Sequence, residues 1–351
     1  MRHKLTALSC TDLQQMWGKR KKVLSEENIE MVRNFCHSKK LKTSISLNED
    51  LLAAGFVELI NGNPHSAAAL HLQQRRQHPC LFSTRETKLE NNTSIKNTII
   101  QALDNFQTFE HIQIPSLTEN KQKYFQTKVA ISAEDAILLA EITMGQNSDL
   151  WQEARRCRIT ASRCYELYTY CNNKSPDWKM KIKQIVYNSF KGNAATEYGK
   201  LHEEAAKGGY EQQFGKLESI GIVVNPKLPW LGCSLDGLRL HGNKPYKLVE
   251  FKCPVLGADN DLNTVINKLP YIKYNSNLPF PYCLNTKHIY YGQLQLSMWI
   301  LGIDLSDFVV YSSFNNDILV IQVEKDFNFI KDLVHKLHYV YFNHYLNYLV
   351  E

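Results

Sequence analysis

Gly232-Cys-Ser-Leu-Asp-Gly-Leu238, then His241-Gly-Asn-Lys-Pro245, then Lys247-Leu-Val-Glu-Phe-Lys-Cys-Pro254 is the stretch whose reading decides the fold. Two strand-like runs flank a cluster of turn-forming residues, the pattern of a β-hairpin. Glu250 and Lys252 are two residues apart, so on a strand their side chains leave the same face. Asp236 closes the preceding strand and reaches that face across the hairpin. Two carboxylates and an ammonium converging at one sheet edge are what Mg²⁺-dependent hydrolysis of a phosphodiester calls for. Carboxylate oxygens suit hard cations, and a lysine can orient or help deprotonate the attacking water. The competing reading of Asp236 and Glu250 is a pair of solvated strand-end carboxylates. For Lys252, flanked by Phe251 and Cys253, burial alone demands a partner. The carboxylates two and sixteen residues away supply one.

Three further motifs surround the hairpin in order. Trp151 leads into Arg155-Arg-Cys-Arg-Ile-Thr-Ala-Ser162; Gly199-Lys-Leu-His-Glu203 follows; Tyr290-Tyr-Gly-Gln293-Leu-Gln-Leu-Ser-Met-Trp299 comes last. With Asp236, thirteen intervening residues and Glu250-Phe-Lys252, this succession resembles the PD-(D/E)xK nuclease core. More narrowly, it is similar to the YqaJ-type viral recombinase nucleases, relatives of lambda exonuclease. A lone D…ExK spacing arises by chance in a chain of this length, whereas four motifs in order over roughly 150 residues do not.

The resemblance implies an α/β (α+β), restriction-endonuclease-like core: a mixed central β-sheet flanked by helices. It implies a Mg²⁺-dependent deoxyribonuclease, with Mn²⁺ as substitute, acting as an exonuclease on DNA ends or recombination intermediates and leaving 5′-phosphates. It assigns metal positions to Glu203, Asp236, Glu250 and the backbone carbonyl of Phe251. Catalysis falls to Asp236, Glu250, Lys252 and Gln293, and substrate binding to Arg155, Ser162 and Ser234. An arginine fork suits phosphate oxygens, and a hydroxyl near a helix start suits an anion. Bland readings stand beside these. Glu203-Glu204 on a helix is ordinarily a wet face, Ser162 reads equally as an N-cap, and Gln293 reads equally as the partner of a buried backbone group. His202 lies about 100° around the helix from Glu203 and reads as packing. Arg156 and Arg158 read as surface or DNA-backbone contacts.

The sequence departs from the family pattern twice. Leu235 stands where proline is usual, and Val255-Leu-Gly-Ala258 carries no arginine shortly after the lysine. The second departure leaves 5′-to-3′ polarity open. Two other readings therefore remain: a structure-specific endonuclease on the same core, and a catalytically silent DNA-binding or recruitment module domesticated from a mobile element. Retention of Glu203, Asp236, Glu250 and Lys252 together argues against the silent module.

Composition sets wider bounds. The 351 residues are 44% hydrophobic, with 41 Lys+Arg against 35 Asp+Glu and a formal net charge of +6. Such a mild excess permits nucleic-acid binding without requiring it. The nine cysteines contain no CxxC pair and read as reduced thiols. No run is long enough to span a membrane, and Met1-Arg-His-Lys-Leu5 lacks the apolar core of a signal peptide. The chain thus reads as intracellular. Lys19-Arg-Lys-Lys22 and the DNA substrate suggest the nucleus, and family analogy suggests a homotrimer with a recombination partner.

Along the chain, residues 1–130 read as a polar, mostly helical extension, with short helices near 25–40 and 48–60, and 131–351 as the nuclease domain. His3, Cys10, Cys36 and His37 lack the paired spacing of a zinc site. Ser132 reads as the N-cap of an apolar-spaced helix. The Glu203 helix is expected over about 194–213, and strands at 220–224, 308–311 and 318–323. A Pro- and Asn-rich loop is expected at 275–281, and an amphipathic helix over 327–350.

Overall fold

The computed structural model describes residues 93–351 apart from 107–108, 110–111, 188–191 and 278–279. The helices expected at 25–40 and 48–60, the basic run Lys19–Lys22 and the cysteines and histidines weighed for zinc lie outside the described residues. Within them, strands run in chain order β1 (Ile159–Thr160), β2 (Ile222–Val223), β3 (Leu231–Ser234), β4 (Gly237–His241), β5 (Lys244–Lys252), β6 (Ile272–Tyr274), β7 (Tyr282–Leu284), β8 (Leu305–Ser312) and β9 (Asp317–Glu324).

A hairpin forms between β4 and β5, which pair antiparallel across the Gly242–Asn243 turn with Gly237 opposite Val249, but its first strand starts after Asp236, and Gly232–Ser234, expected in it, belong to β3 of another sheet. A bulge at Tyr246 shifts the register between Arg239 and Leu240, which strengthens the local twist. Leu248, Val249, Glu250 and Phe251 are all buried, so β5 is covered on both faces and central. It pairs parallel with β8, Glu250 opposite Phe308, and β8 pairs antiparallel with β9. The order β4-β5-β8-β9 is a mixed sheet, as expected. Because side chains alternate, Leu248, Glu250 and Lys252 face one way and Lys247, Val249 and Phe251 the other.

Helices cover both faces. On the Val249–Phe251 side, Ala206 and Tyr210 of the helix Ala194–Phe214 pack with Val309 and Tyr311. On the other, the larger core joins Leu248, Phe308 and Val310 to the helices Ala161–Tyr170, Ile289–Leu301 and Phe327–Val340. Gly292 lets the first two meet closely: a Cβ there would stand 2.7 Å from Cδ2 of Tyr165. The helix Ala133–Ile142 starts as expected, with Ser132 Oγ accepting the Asp135 N–H at 3.0 Å. Ile95 and Ile99 of the helix Thr93–Asp104 lie in the same core.

Three expectations change. The strand foreseen at 220–224 shrinks to Ile222–Val223, because Gly221 docks on the Ser132-capped helix instead of a neighbouring strand. Gly221 N–H donates to Ala140 O at 2.9 Å, and a Cβ would fall 2.2 Å from Thr143 Oγ1. Residues 275–277 and 280–281 lie outside strands as expected, but β6 before them and β7 after them form an antiparallel pair that was not foreseen. The C-terminal helix ends at Val340 and continues through a π-helical turn, Tyr341–Tyr345, into Leu346–Val350. No described helix is long and apolar enough to cross a membrane. The six described cysteines, Cys157, Cys164, Cys171, Cys233, Cys253 and Cys283, are free thiols.

Candidate active site

β3 belongs to a separate small sheet, β1-β3-β2, and the chain steps from it to the main sheet through Leu235–Asp236. Gln146 pins the step, its amide donating to Leu235 O at 2.7 Å. Asp236 is thereby presented to the end of β5, where its Oδ2 accepts the Phe251 N–H at 2.8 Å. Glu250, 4% exposed, accepts at Oε1 from Lys252 Nζ at 2.5 Å and from Gln293 Nε2 at 2.7 Å. Gln293 arrives from the helix Ile289–Leu301, whose Tyr290 ring lies 4.8 Å from the Lys252 ammonium. Four sequence-expected residues, Asp236, Glu250, Lys252 and Gln293, thus meet at one point.

The electrostatics show what this cluster lacks. Burial pushes the Asp236 carboxyl up to about 8; the Glu250 and Glu203 charges add to the rise, while Lys252 and the Phe251 N–H oppose it. Burial also raises Glu203, against the pull of Lys252 and with the help of Glu250 and Glu204. Burial pulls the Lys252 ammonium down, yet Glu250 and Asp236 outweigh it and hold the group above its usual range. Three carboxylates therefore share one ammonium. Hard oxygen donors that one ammonium cannot all keep ionised fit a divalent cation. Among the described residues no three His, Cys, Asp or Glu side chains stand close enough to form a closed ligand set. One oxygen of Asp236 is turned to Phe251 N–H, and one of Glu250 to Lys252 and Gln293.

A second constellation adjoins the first through Ser234, two residues before Asp236. The Arg155 guanidinium donates to Ser162 Oγ at 3.1 Å and to Ser234 Oγ at 3.5 Å, and lies 4.3 Å over the Trp151 ring. Trp151 Nε1–H also donates to Ser234 Oγ, at 2.9 Å. Among the described residues, hydroxyls and a ring surround this cation and no carboxylate is paired with it. Burial lowers Arg155 to about 10 and nearby Arg163 adds to the drop, against Tyr345. A half-buried arginine held this way has the charge and the donors to bind an anion. Ser162 is not the helix cap: Thr160 holds that position without a side-chain cap bond, freeing the Ser162 hydroxyl for Arg155.

Arg158 corrects the sequence reading. It is 4% exposed and contacts no solvent-facing anion. Its guanidinium donates to the carbonyls of Pro229, Ala154 and Val129 at 2.8, 2.9 and 2.8 Å, tying three segments together. Its neighbours Cys157 and Ile159 were the available signal, since an arginine between buried residues must find carbonyls inside. Arg156 is exposed, 5.9 Å from the Tyr187 ring. His202 packs on Tyr198 with ring centroids 4.2 Å apart, as expected. Gln295 is structural, bridging Glu324 O and Asp326 N–H. Sequence reasoning missed the contacts of Trp151 and Tyr290, which lay inside quoted motifs but had no spacing signal of their own.

Residues 150–304 match the family model of the YqaJ-like viral recombinase domain. The matched span contains every residue of both constellations. Solved structures with a similar course include an alkaline exonuclease (LHK-Exo) from Laribacter hongkongensis, at 22% identity over 57% of this chain and 96% of that one, TM-score 0.42. A phage related exonuclease from Haemophilus somnus 129PT is 14% identical over 55% and 95%, TM-score 0.37. A SOX–DNA complex is 12% identical over 87% and 92%, TM-score 0.38. No curated protein matches the chain in sequence.

Proposed function

We propose that this chain is a metal-dependent DNA nuclease with a PD-(D/E)xK site, acting on DNA ends. The observation that carries the reading is the convergence on Glu250: Lys252 from the same strand and Gln293 from a crossover helix grip one oxygen, with Asp236 locked to the intervening Phe251 N–H. Glu203, Asp236, Glu250 and the Phe251 carbonyl would hold Mg²⁺ or Mn²⁺, which supplies electrophilic polarisation of the phosphodiester and neutralises charge on the departing oxygen. The chain's own groups do the remaining work. Gln293 and Lys252 fix the Glu250 carboxylate, the Phe251 N–H fixes that of Asp236, and the Lys252 ammonium, held protonated, orients the attacking water by donating a hydrogen bond to it. Cleavage at the 3′-oxygen leaves a 5′-phosphate.

Arg155, Ser162 and Ser234 favour an exonuclease over an endonuclease, because a cation that no described carboxylate pairs with, beside the cluster, suits a terminal phosphate. Catalysis is assigned to residues 131–351, with the helix Thr93–Asp104 bracing that domain through Ile95 and Ile99. The test is degradation of linear duplex DNA bearing 5′-phosphate or 5′-hydroxyl ends, beside a covalently closed circle, with Mg²⁺ or Mn²⁺. Loss of phosphorylated linear DNA alone, abolished by Glu250→Gln, is the expected result. Cutting of the circle would establish an endonuclease. Binding without cleavage of either substrate would establish the silent module.

A further inference from the structure

The hairpin β6–β7 has no part in the site described above, yet it begins beside it. The Lys252 ammonium lies 4.8 Å from the Tyr290 ring, whose centroid is 5.0 Å from that of Tyr271. β6 starts at the next residue, Ile272. Three residues of strand, about 10 Å, lead from Tyr271 to Tyr274, which is 67% exposed. Tyr274 is paired with Tyr282, ring centroids 5.6 Å apart and nearly perpendicular. Phe280, near the tip, is 83% exposed.

Exposed rings gathered on one hairpin are the kind of apolar surface that marks an interaction site. The hairpin is also braced: Asn285 N–H donates to Tyr271 O at 2.8 Å at its root, and Asn275 N–H to Pro281 O at 2.6 Å near its tip. These bonds tie β6 to β7 at both ends of the pair. Charge identifies what they meet. From Lys268 to Lys287 the sequence contains no Asp or Glu, and Lys268, Lys273 and Lys287 are exposed. Exposed rings interleaved with lysines suit a chain of stacked bases on a phosphate backbone. They disfavour a second copy of this protein, which would bring the same lysines against them.

We propose that the β6–β7 hairpin is a stacking surface for unpaired nucleotides of DNA, with Tyr274 and Phe280 against the bases and the surrounding lysines drawing in the backbone. The ligand class rests on the nuclease reading, and the hairpin serves the single strand adjoining the cleavage point.

The test is fluorescence anisotropy of the full-length protein with labelled oligo(dT) of about a dozen nucleotides in a chelator, so that binding is read without cleavage. Tyr274→Ala is expected to weaken binding about 5-fold or more, Phe280→Ala similarly, and Tyr274→Phe to leave it intact, since stacking needs the ring and not the hydroxyl. Both positions are exposed, and an unchanged melting temperature confirms folding. Unchanged affinity in Tyr274→Ala and Phe280→Ala overturns the proposal. So does self-association that the substitutions abolish without affecting oligo(dT), or a preference for oligo(rU) that they leave unchanged. Cleavage with Mg²⁺ is scored separately. Ring-dependent oligo(dT) binding by a protein that cleaves nothing sinks the nuclease reading and supports the hairpin. Cleavage by a protein that binds no oligo(dT) sinks the hairpin alone.

Discussion

Strand β5 and its neighbours carry two buried charge clusters on opposite faces, and they differ in one respect. Facing the helix Ala194–Phe214, Lys247 Nζ meets Asp307 Oδ1 at 3.0 Å and Gln322 Oε1 at 3.1 Å, while Tyr210 O–H donates to the other Asp307 oxygen at 2.5 Å. Lys247 answers Asp307 directly, Arg239 bonds Tyr210 behind it, and the carboxylate is not left without a cation. On the other face Glu250 grips Lys252, and the charges of Asp236 and of Glu203, which comes from the helix Ala194–Phe214, bear on the same ammonium. Depth does not separate the two, since Asp307 is 2% exposed and Glu250 4%. Balance does. A closed pair is a structural tie; carboxylates that one ammonium cannot all keep ionised, in a poorly polarisable setting, are retained where a ligand completes them.

The largest expected effect tests that contrast directly. Glu250→Gln or Lys252→Ala should lower DNA cleavage by roughly 10²- to 10³-fold, as loss of one preorganised group at a reacting phosphate does. Lys247→Met should leave the rate per folded molecule unchanged. Equal losses at Lys247 and Lys252, measured on end-labelled duplex, would erase the distinction between the clusters. Stability should run the other way. Lys247→Met strands the Asp307 carboxylate and should cost about 3–5 kcal/mol in urea unfolding. A cost under about 1 kcal/mol would mean that Tyr210 suffices for Asp307.

Cation linkage comes next. Mg²⁺ at about 100 times its dissociation constant should stabilise the wild-type protein by about 2.7 kcal/mol, and Asp236→Asn should lose most of that gain. Without metal, pH reads the same imbalance. The folded-state pKa of Asp236 is raised toward about 8, above that of a free carboxylate near 4. The native state then binds more protons than the unfolded chain across that window, so stability contributed at low pH is lost as pH rises through it. Melting in chelator should show this decline, and Mg²⁺ should flatten it. A flat metal-free profile would mean that the carboxylates ionise without mutual cost.

The balanced cluster was invisible in the sequence and the unbalanced one was not, for a physical reason. Glu250 and Lys252 share a strand face by the period of two, and Asp236 is brought back by a turn written in Gly242 and Asn243. Lys247 and Asp307 lie sixty residues apart on parallel strands, joined by a crossover that no local pattern specifies. The same limit hid the bond from Trp151 to Ser234. Arg158 misled because its type and its two arginine neighbours suggested solvent, while its burial is set by Pro229 and Val129 far along the chain. Gly221 shortened a strand that its valines promised, through a contact with Thr143. What was legible was the local face; what was not was the partner across a long loop.

Tyr290 gives the smallest and most discriminating test. Its ring lies 4.8 Å from an ammonium whose side chain remains 22% exposed, a geometry worth about 1 kcal/mol, or roughly 5-fold in rate. If the ring positions Lys252, Tyr290→Leu should lower kcat by that factor with KM unchanged, and shift the basic limb of the pH–rate profile downward as the ammonium loses support. Tyr290→Phe should restore both, because the ring face and not the hydroxyl makes the contact. An unshifted profile with normal kcat would show that Glu250 and Asp236 alone fix Lys252. The open side of the cluster would then depend on carboxylates only, which sharpens the contrast with Lys247, whose neutral partners are part of its closure.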